Sequence, residues 1–117
     1  MTTQLGKELK KLRIDLGITL MGLSDLVDLS PAFLSAIETG RKRVPDNFLD
    51  TLAAKIPAVA ENRAKFEVLI NQARKEVRMP IENANYEDAL LATEFARRFS
   101  SLSPEDKSRL SSILGAE

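Results

Sequence analysis

The sequence predicts an all-α protein: a bundle of short amphipathic helices followed by a C-terminal helical hairpin. Apolar residues recur at helical spacing through most of the chain, residues that cap helix N-termini stand in front of several of these stripes, and Gly or Pro stands behind them.

The first stripe is Leu5, Leu9, Leu12 and Leu16, and Gly17 ends it. Thr19 can cap a second helix that shows Leu20, Leu23, Leu26 and Val27 inward. The link Asp28-Leu29 is short enough to force a sharp turn into a third. There Ser30 is a good N-cap, and Pro31 fits the first helical position, where its missing N–H costs nothing. Leu34 and Ile37 form the apolar side of this third helix. Gly40 can take the left-handed C-cap conformation, and Arg41-Lys42-Arg43 leave the helix end as a compact positive cluster.

Pro45 and Asp46 start a fourth helix with Phe48, Leu49, Leu52, Ala53 and Ile56 on one face, stopped by Pro57. Residues 58–78 read as one fifth helix carrying Phe66, Leu69, Ile70, Ala73 and Val77. Residues 79–85 are a linker: Pro80 breaks the helix, and Asn85 caps the next one with Asp88 three residues on. That helix carries Ala89, Ala92, Phe95, Ala96, Phe99 and finally Leu102. Ser103-Pro104-Glu105-Asp106 then starts a last helix with Leu110, Ile113 and Leu114 before Gly115. The expected organisation is a first domain over 1–57, a fifth helix over 58–78 packing on it or leading from it, the linker, and a hairpin over 86–117.

The chemistry concentrates in the third helix and the cations after it. A helix that ends on Gly before Lys or Arg is common on protein surfaces, because cations favour the C-terminal end of the helix dipole. Two amphipathic helices with short connections in front of it change that reading. A short, exposed, small-residue helix beside a cationic knot suits a DNA major groove and its flanking phosphates.

Residues 3–57 resemble the helix-turn-helix domain of the Xre/Cro class of phage and bacterial repressors. The resemblance rests on Leu9, Leu12 and Arg13 in the first helix, Gly17 and Leu23 around the second, and Leu29-Ser30 at the turn. Leu34-Ser35, Ile37-Glu38, Gly40-Arg41-Lys42 and Pro45 complete it. It implies a lambda-repressor-like helix-turn-helix bundle of four to five helices in which residues 30–39 form the recognition helix. The chain departs from the class pattern at Leu20, where Gln often helps to hold a phosphate, at Ser24, where Ala is usual, and at Asp28, where the turn usually has Gly.

On this reading Pro31, Ala32, Phe33, Ser35 and Ala36 face bases, and Thr19, Thr39, Arg41, Lys42 and Arg43 hold phosphates. None of the base-facing residues is the Arg, Gln or Asn that makes a bidentate base contact, so readout relies on thymine methyls, one or two hydroxyls and DNA shape. Phe33 fits core packing as well as a base contact. Glu38 would be repelled by phosphates and is expected to pair with Arg13 or a nearby backbone donor.

Composition narrows the alternatives. The 117 residues include no Cys and no His, which removes disulfides, cysteine-based zinc sites and the commonest general acid–base residue. Neither metal nor cofactor is expected. The pairs Glu87-Asp88 and Glu105-Asp106 lie in first helical turns, where acids are ordinary, and the five glycines are too scattered for a phosphate cradle, so no catalytic residue is expected. With 17 basic and 17 acidic residues the total charge cancels, but a local basic face survives because fields are set within about 8 Å at physiological salt. No run approaches the roughly 20 apolar residues of a membrane span, nor does the N-terminus carry a signal peptide's apolar core; the expected location is the cytoplasm.

The hairpin has more apolar surface than two helices can hide. It can complete a monomeric core, form a two-fold dimer interface through Phe95, Phe99, Leu102, Leu110, Ile113 and Leu114, or bind a protein partner. The dimer suits double-stranded DNA with two half-sites. The function expected is a dimeric, sequence-specific repressor on a palindromic operator, with its own promoter as a candidate target. The alternatives are an antitoxin with a toxin partner and a helical protein–protein adaptor.

Overall fold

The side chains that open the helices do so by hydrogen bonding. In the computed structural model, which describes residues 2–115, Thr3 accepts from the Gly6 N–H at 2.9 Å and opens α1 (Gln4–Leu16). Thr19 accepts from Gly22 at 3.0 Å and opens α2 (Leu20–Leu26), and Ser30 accepts from Phe33 at 3.1 Å and opens α3 (Pro31–Glu38). α4 (Phe48–Lys55), α5 (Pro57–Glu61) and α6 (Arg63–Arg74) follow. After them come α7 (Tyr86–Arg98), capped by Asn85 through the Asp88 N–H, a 3₁₀ turn at Phe99–Ser101, and α8 (Pro104–Ile113), capped by Ser103. No strand occurs among the described residues, so the chain is all-α.

The chain divides into two units, one ending at Val77 and the other beginning at Arg78. In the first, α1, α2, α3, α4 and α6 close around Leu9, Leu23, Leu34, Phe48, Leu52 and Phe66, each at most 4% exposed. The predicted stripes therefore face inward. Leu16 is one exception, 43% exposed at the last turn of α1, immediately before Gly17 takes φ 68° and ends the helix. α2 and α3 bend through 103°, within the range of a helix-turn-helix.

Several helix boundaries differ from expectation. α7 stops at Arg98, so Phe99 falls in the 3₁₀ turn and Leu102, with extended backbone, lies beyond it rather than on the helix. Pro45 and Asp46 do not begin α4, which starts at Phe48. The Pro45 carbonyl instead accepts from the Phe48 N–H at 3.1 Å and from Arg74 at 2.6 Å, which closes a turn ahead of the helix. Residues 58–78 are not one helix. Asn62 leaves helical geometry (φ −119°, ψ 33°) while its side-chain amide donates to the Ala58 carbonyl at 2.9 Å, an i−4 back-bond that competes with the helix ladder. α6 then stops at Arg74, because Lys75 turns left-handed (φ 63°) and the N–H groups of Lys75 and Glu76 return to Gln72 and Asn71. Val77 thus falls outside the helix and is 75% exposed. Phe66 and Ile70, earlier in the same stripe, remain buried.

Asp28 holds the turn between α2 and α3 at φ 57°. A left-handed residue other than Gly is strained by roughly 1–2 kcal/mol, while Gly adds roughly 0.4–1 kcal/mol of chain entropy to the unfolded state. Asp28→Gly is accordingly expected to stabilise the protein by about 0.5–1 kcal/mol, read as a rise in the urea midpoint at unchanged m-value. An unchanged or lower midpoint would show that the Asp side chain supports the turn.

Candidate nucleic-acid interface

The third helix owes its position to the first. Gly6 of α1 lies so close to the C-terminal end of α3 that an added Cβ would stand 2.1 Å from the Glu38 carbonyl oxygen. That carbonyl accepts both from the Thr3 N–H at 3.0 Å and from its hydroxyl at 3.2 Å. The Glu38 side chain accepts from Arg13 Nη2 through both oxygens, at 3.0 and 3.2 Å, as the sequence suggested. Burial raises the Glu38 pKa above the ordinary carboxylate value, while the Arg13 charge and hydrogen bonds, then the Lys10 charge, act to lower it. The acid is thus spent on joining α3 to α1 and is unavailable as a DNA reader.

Two of the three class departures show how the fold takes them up. Ser24 is fully buried where Ala is usual, and its hydroxyl donates to the Met21 carbonyl at 2.7 Å, so no polar group is left unpaired. Asp28 adopts the left-handed backbone that Gly would supply.

At the open end of α3, Ala32 is exposed while Pro31 and Ser35 are half-buried. Phe33 is half-buried and packs on the core. Ala36 corrects the sequence reading: it is only 8% exposed and does not point outward. It adjoins Ile37 on the inward side, and its carbonyl accepts from both the Arg41 N–H at 2.8 Å and the Lys42 N–H at 3.2 Å as the chain folds back over it.

That fold-back places the cations. Gly40 reverses the chain at φ 78°, and Thr39 donates its hydroxyl to the Ser35 and Ala36 carbonyls while accepting from Arg41 Nε at 3.1 Å. Arg41, Lys42 and Arg43 are all exposed, and Thr19 is exposed at the start of α2. Val44, 2% exposed, anchors the loop in the core. Arg74 anchors it again from α6, donating Nε to the Val44 carbonyl at 3.2 Å and Nη2 to the Pro45 carbonyl at 2.6 Å. Arg43 itself is bound to Glu76. Sequence reasoning missed Thr3, Arg74 and Glu76. Gly6, an isolated glycine inside a helical stripe, was the one available signal of close packing.

In the second unit none of the described residues is buried. Phe95 and Phe99 meet edge to face at 5.5 Å, with the Lys107 ammonium 5.0 Å from the Phe99 ring centre. Phe95, Leu102, Leu110 and Ile113 line an open groove of about 360 Å³ with Leu91, while Leu114 lies nearby in sequence and is 76% exposed. Glu94, Arg98, Asp106 and Arg109 also border the groove, two acids and two bases.

No single helix among the described residues is long and apolar enough to cross a membrane. Residues 4–65 match a family model described as a helix-turn-helix domain. No curated protein and no solved structure matches the chain.

Proposed function

This chain belongs to the helix-turn-helix domain family, which covers more than half its length, and on that premise we propose that it is a dimeric, sequence-specific transcriptional repressor of the Xre/Cro type. The observation that carries this reading is the arrangement at α3: a helix set at 103° to α2, with Ala32 exposed and Pro31 and Ser35 half-buried near its start, and three exposed cations in the loop that follows its end. α3 enters the major groove, and Pro31, Ala32 and Ser35 approach base edges and thymine methyls. Thr19, Arg41, Lys42 and Arg43 hold the flanking phosphates; Thr39, expected among them, gives its hydroxyl to the Ser35 and Ala36 carbonyls and instead orients Arg41. Leu20 offers no hydrogen bond where the class often has Gln, so the loop after α3 carries most of the sequence-independent hold.

The second unit supplies the two-fold contact, and the operator is palindromic, with half-sites about one helical turn apart. The protein acts by occupying DNA in the cytoplasm, without catalysis.

Footprinting upstream of its own gene identifies the operator; a salt titration on that site then tests the phosphate assignment. Each phosphate contact contributes a slope of about −0.9 to log affinity against log salt. Replacing Arg41, Lys42 and Arg43 together by Ala should flatten the slope by two to three units, roughly one per residue, and weaken binding to every DNA sequence alike. An unchanged slope and affinity would remove these residues from the interface.

A further inference from the structure

We propose that Glu76 occupies Arg43 in the DNA-free protein in the way a phosphate occupies it in the complex, so that this carboxylate, outside the helix-turn-helix match, sets how strongly the cationic loop holds DNA. The proposal rests on the DNA-binding reading above.

The pairing is built into the first unit rather than left to two wandering side chains. Glu76 stands just past the end of α6, where left-handed Lys75 reverses the backbone and the Glu76 N–H is held by the Asn71 carbonyl at 3.2 Å. Arg43 stands one residue before Val44. Between the two segments lies Arg74, whose side chain is only 12% exposed and whose guanidinium grips the Val44 and Pro45 carbonyls. The grip fixes the end of α6 against the loop and brings residue 76 to residue 43. Both partners of the ion pair remain about half exposed, at 50% and 46%, so water and a competing anion can reach it.

Carboxylate and phosphate present the same chemistry to a guanidinium: two oxygens accepting from parallel N–H groups. A phosphate arriving at Arg43 must therefore exchange with Glu76. Among the described residues no carboxylate forms an ion pair with Arg41 or Lys42, and the nearest arrangement is the neutral Thr39 hydroxyl on Arg41. One cation of the three thus carries an internal competitor and two do not. The effect is sequence-independent, because it acts on a phosphate contact.

The test uses the full chain, a mixed-sequence duplex and a range of salt. An exposed ion pair is worth a small factor, so Glu76→Gln should bind the duplex about two- to fivefold more tightly at low salt. The gain should fade as salt rises and screens the pair. Arg43→Ala alone should weaken binding, and adding Glu76→Gln to it should bring no further gain. A gain that survives in the Arg43→Ala background would mean that Glu76 merely repels DNA at a distance, and no gain in either background would mean that the pair is not broken on binding; either result overturns the proposal. Failure of the unmodified chain to bind the duplex at low salt would instead overturn the DNA-binding reading itself.

Discussion

A chain ending at Val77 is expected to be a folded monomer, while the full-length protein is a dimer at micromolar concentration. Every described residue classed as buried lies between Leu5 and Ile70, so the fragment keeps its core. Among the described residues of the second unit no side chain is fully buried, and Leu91, Ile113 and Leu114 are each more than 70% exposed. Fully hiding a Leu or Phe contributes roughly 1.5–3 kcal/mol. Several such residues from each of two subunits outweigh an association cost of about 4–15 kcal/mol. Two hairpins meeting about a two-fold axis would make a four-helix bundle, with the charges beside the groove, Glu94 with Arg98 and Asp106 with Arg109, already paired within each chain.

On the proposed reading the fragment should lose the second half-site and none of its own contacts with the first. Linkage of two binding units is worth about 10²- to 10⁴-fold, so operator affinity should fall by that factor. Sedimentation equilibrium and operator titration of both chains decide it. A monomeric full-length protein, a dimeric fragment or equal affinities would place the two-fold contact elsewhere.

Gly6→Ala should be among the most damaging single substitutions in the first unit. In an isolated helix the same change stabilises by about 1 kcal/mol, because Ala is the better helix former. Here the new methyl would lie 2.1 Å from one backbone atom of Glu38 and 2.9 Å from another, and neither can swing aside as a side chain does. α1 and the end of α3 must separate, which loosens both hydrogen bonds from Thr3 to the Glu38 carbonyl and shifts α3. A loss of about 3 kcal/mol is expected, lowering the melting temperature by more than about 10 °C. Gly17→Ala serves as the comparison: it meets nothing within 4 Å and bears only the left-handed penalty of roughly 1–2 kcal/mol. Equal melting temperatures for the two variants would show that α1 and α3 can part freely.

The legible parts of this protein are those specified by neighbours in sequence. Caps at Thr19, Ser30, Asn85 and Ser103, the glycine stop at Gly17 and the leucine stripes are local signals, and each acts within a turn or two of where it is read. Arg13 with Glu38 was accessible because an acid amid apolar residues, on a face that phosphates would repel, requires a cation. Ala36 was not accessible: a methyl group is too small to declare a side, and its burial follows from the loop folding back over it. The break at Asn62 depends on one side chain choosing the Ala58 carbonyl, and periodicity is blind to that choice. Arg74 and Glu76 lie about thirty residues from the loop they hold, a separation across which no local pattern reports.

The grip of Arg74 also says where the transferable module ends. Residues 4–65 carry the family pattern, yet Phe66 and Ile70 complete the core and Arg74 fixes the loop that bears the cations. A graft cut at the edge of the family pattern would carry α3 without the strut that fixes the charged loop after it. For chimeras that lend this DNA-binding face to another protein, the natural cassette runs to Val77.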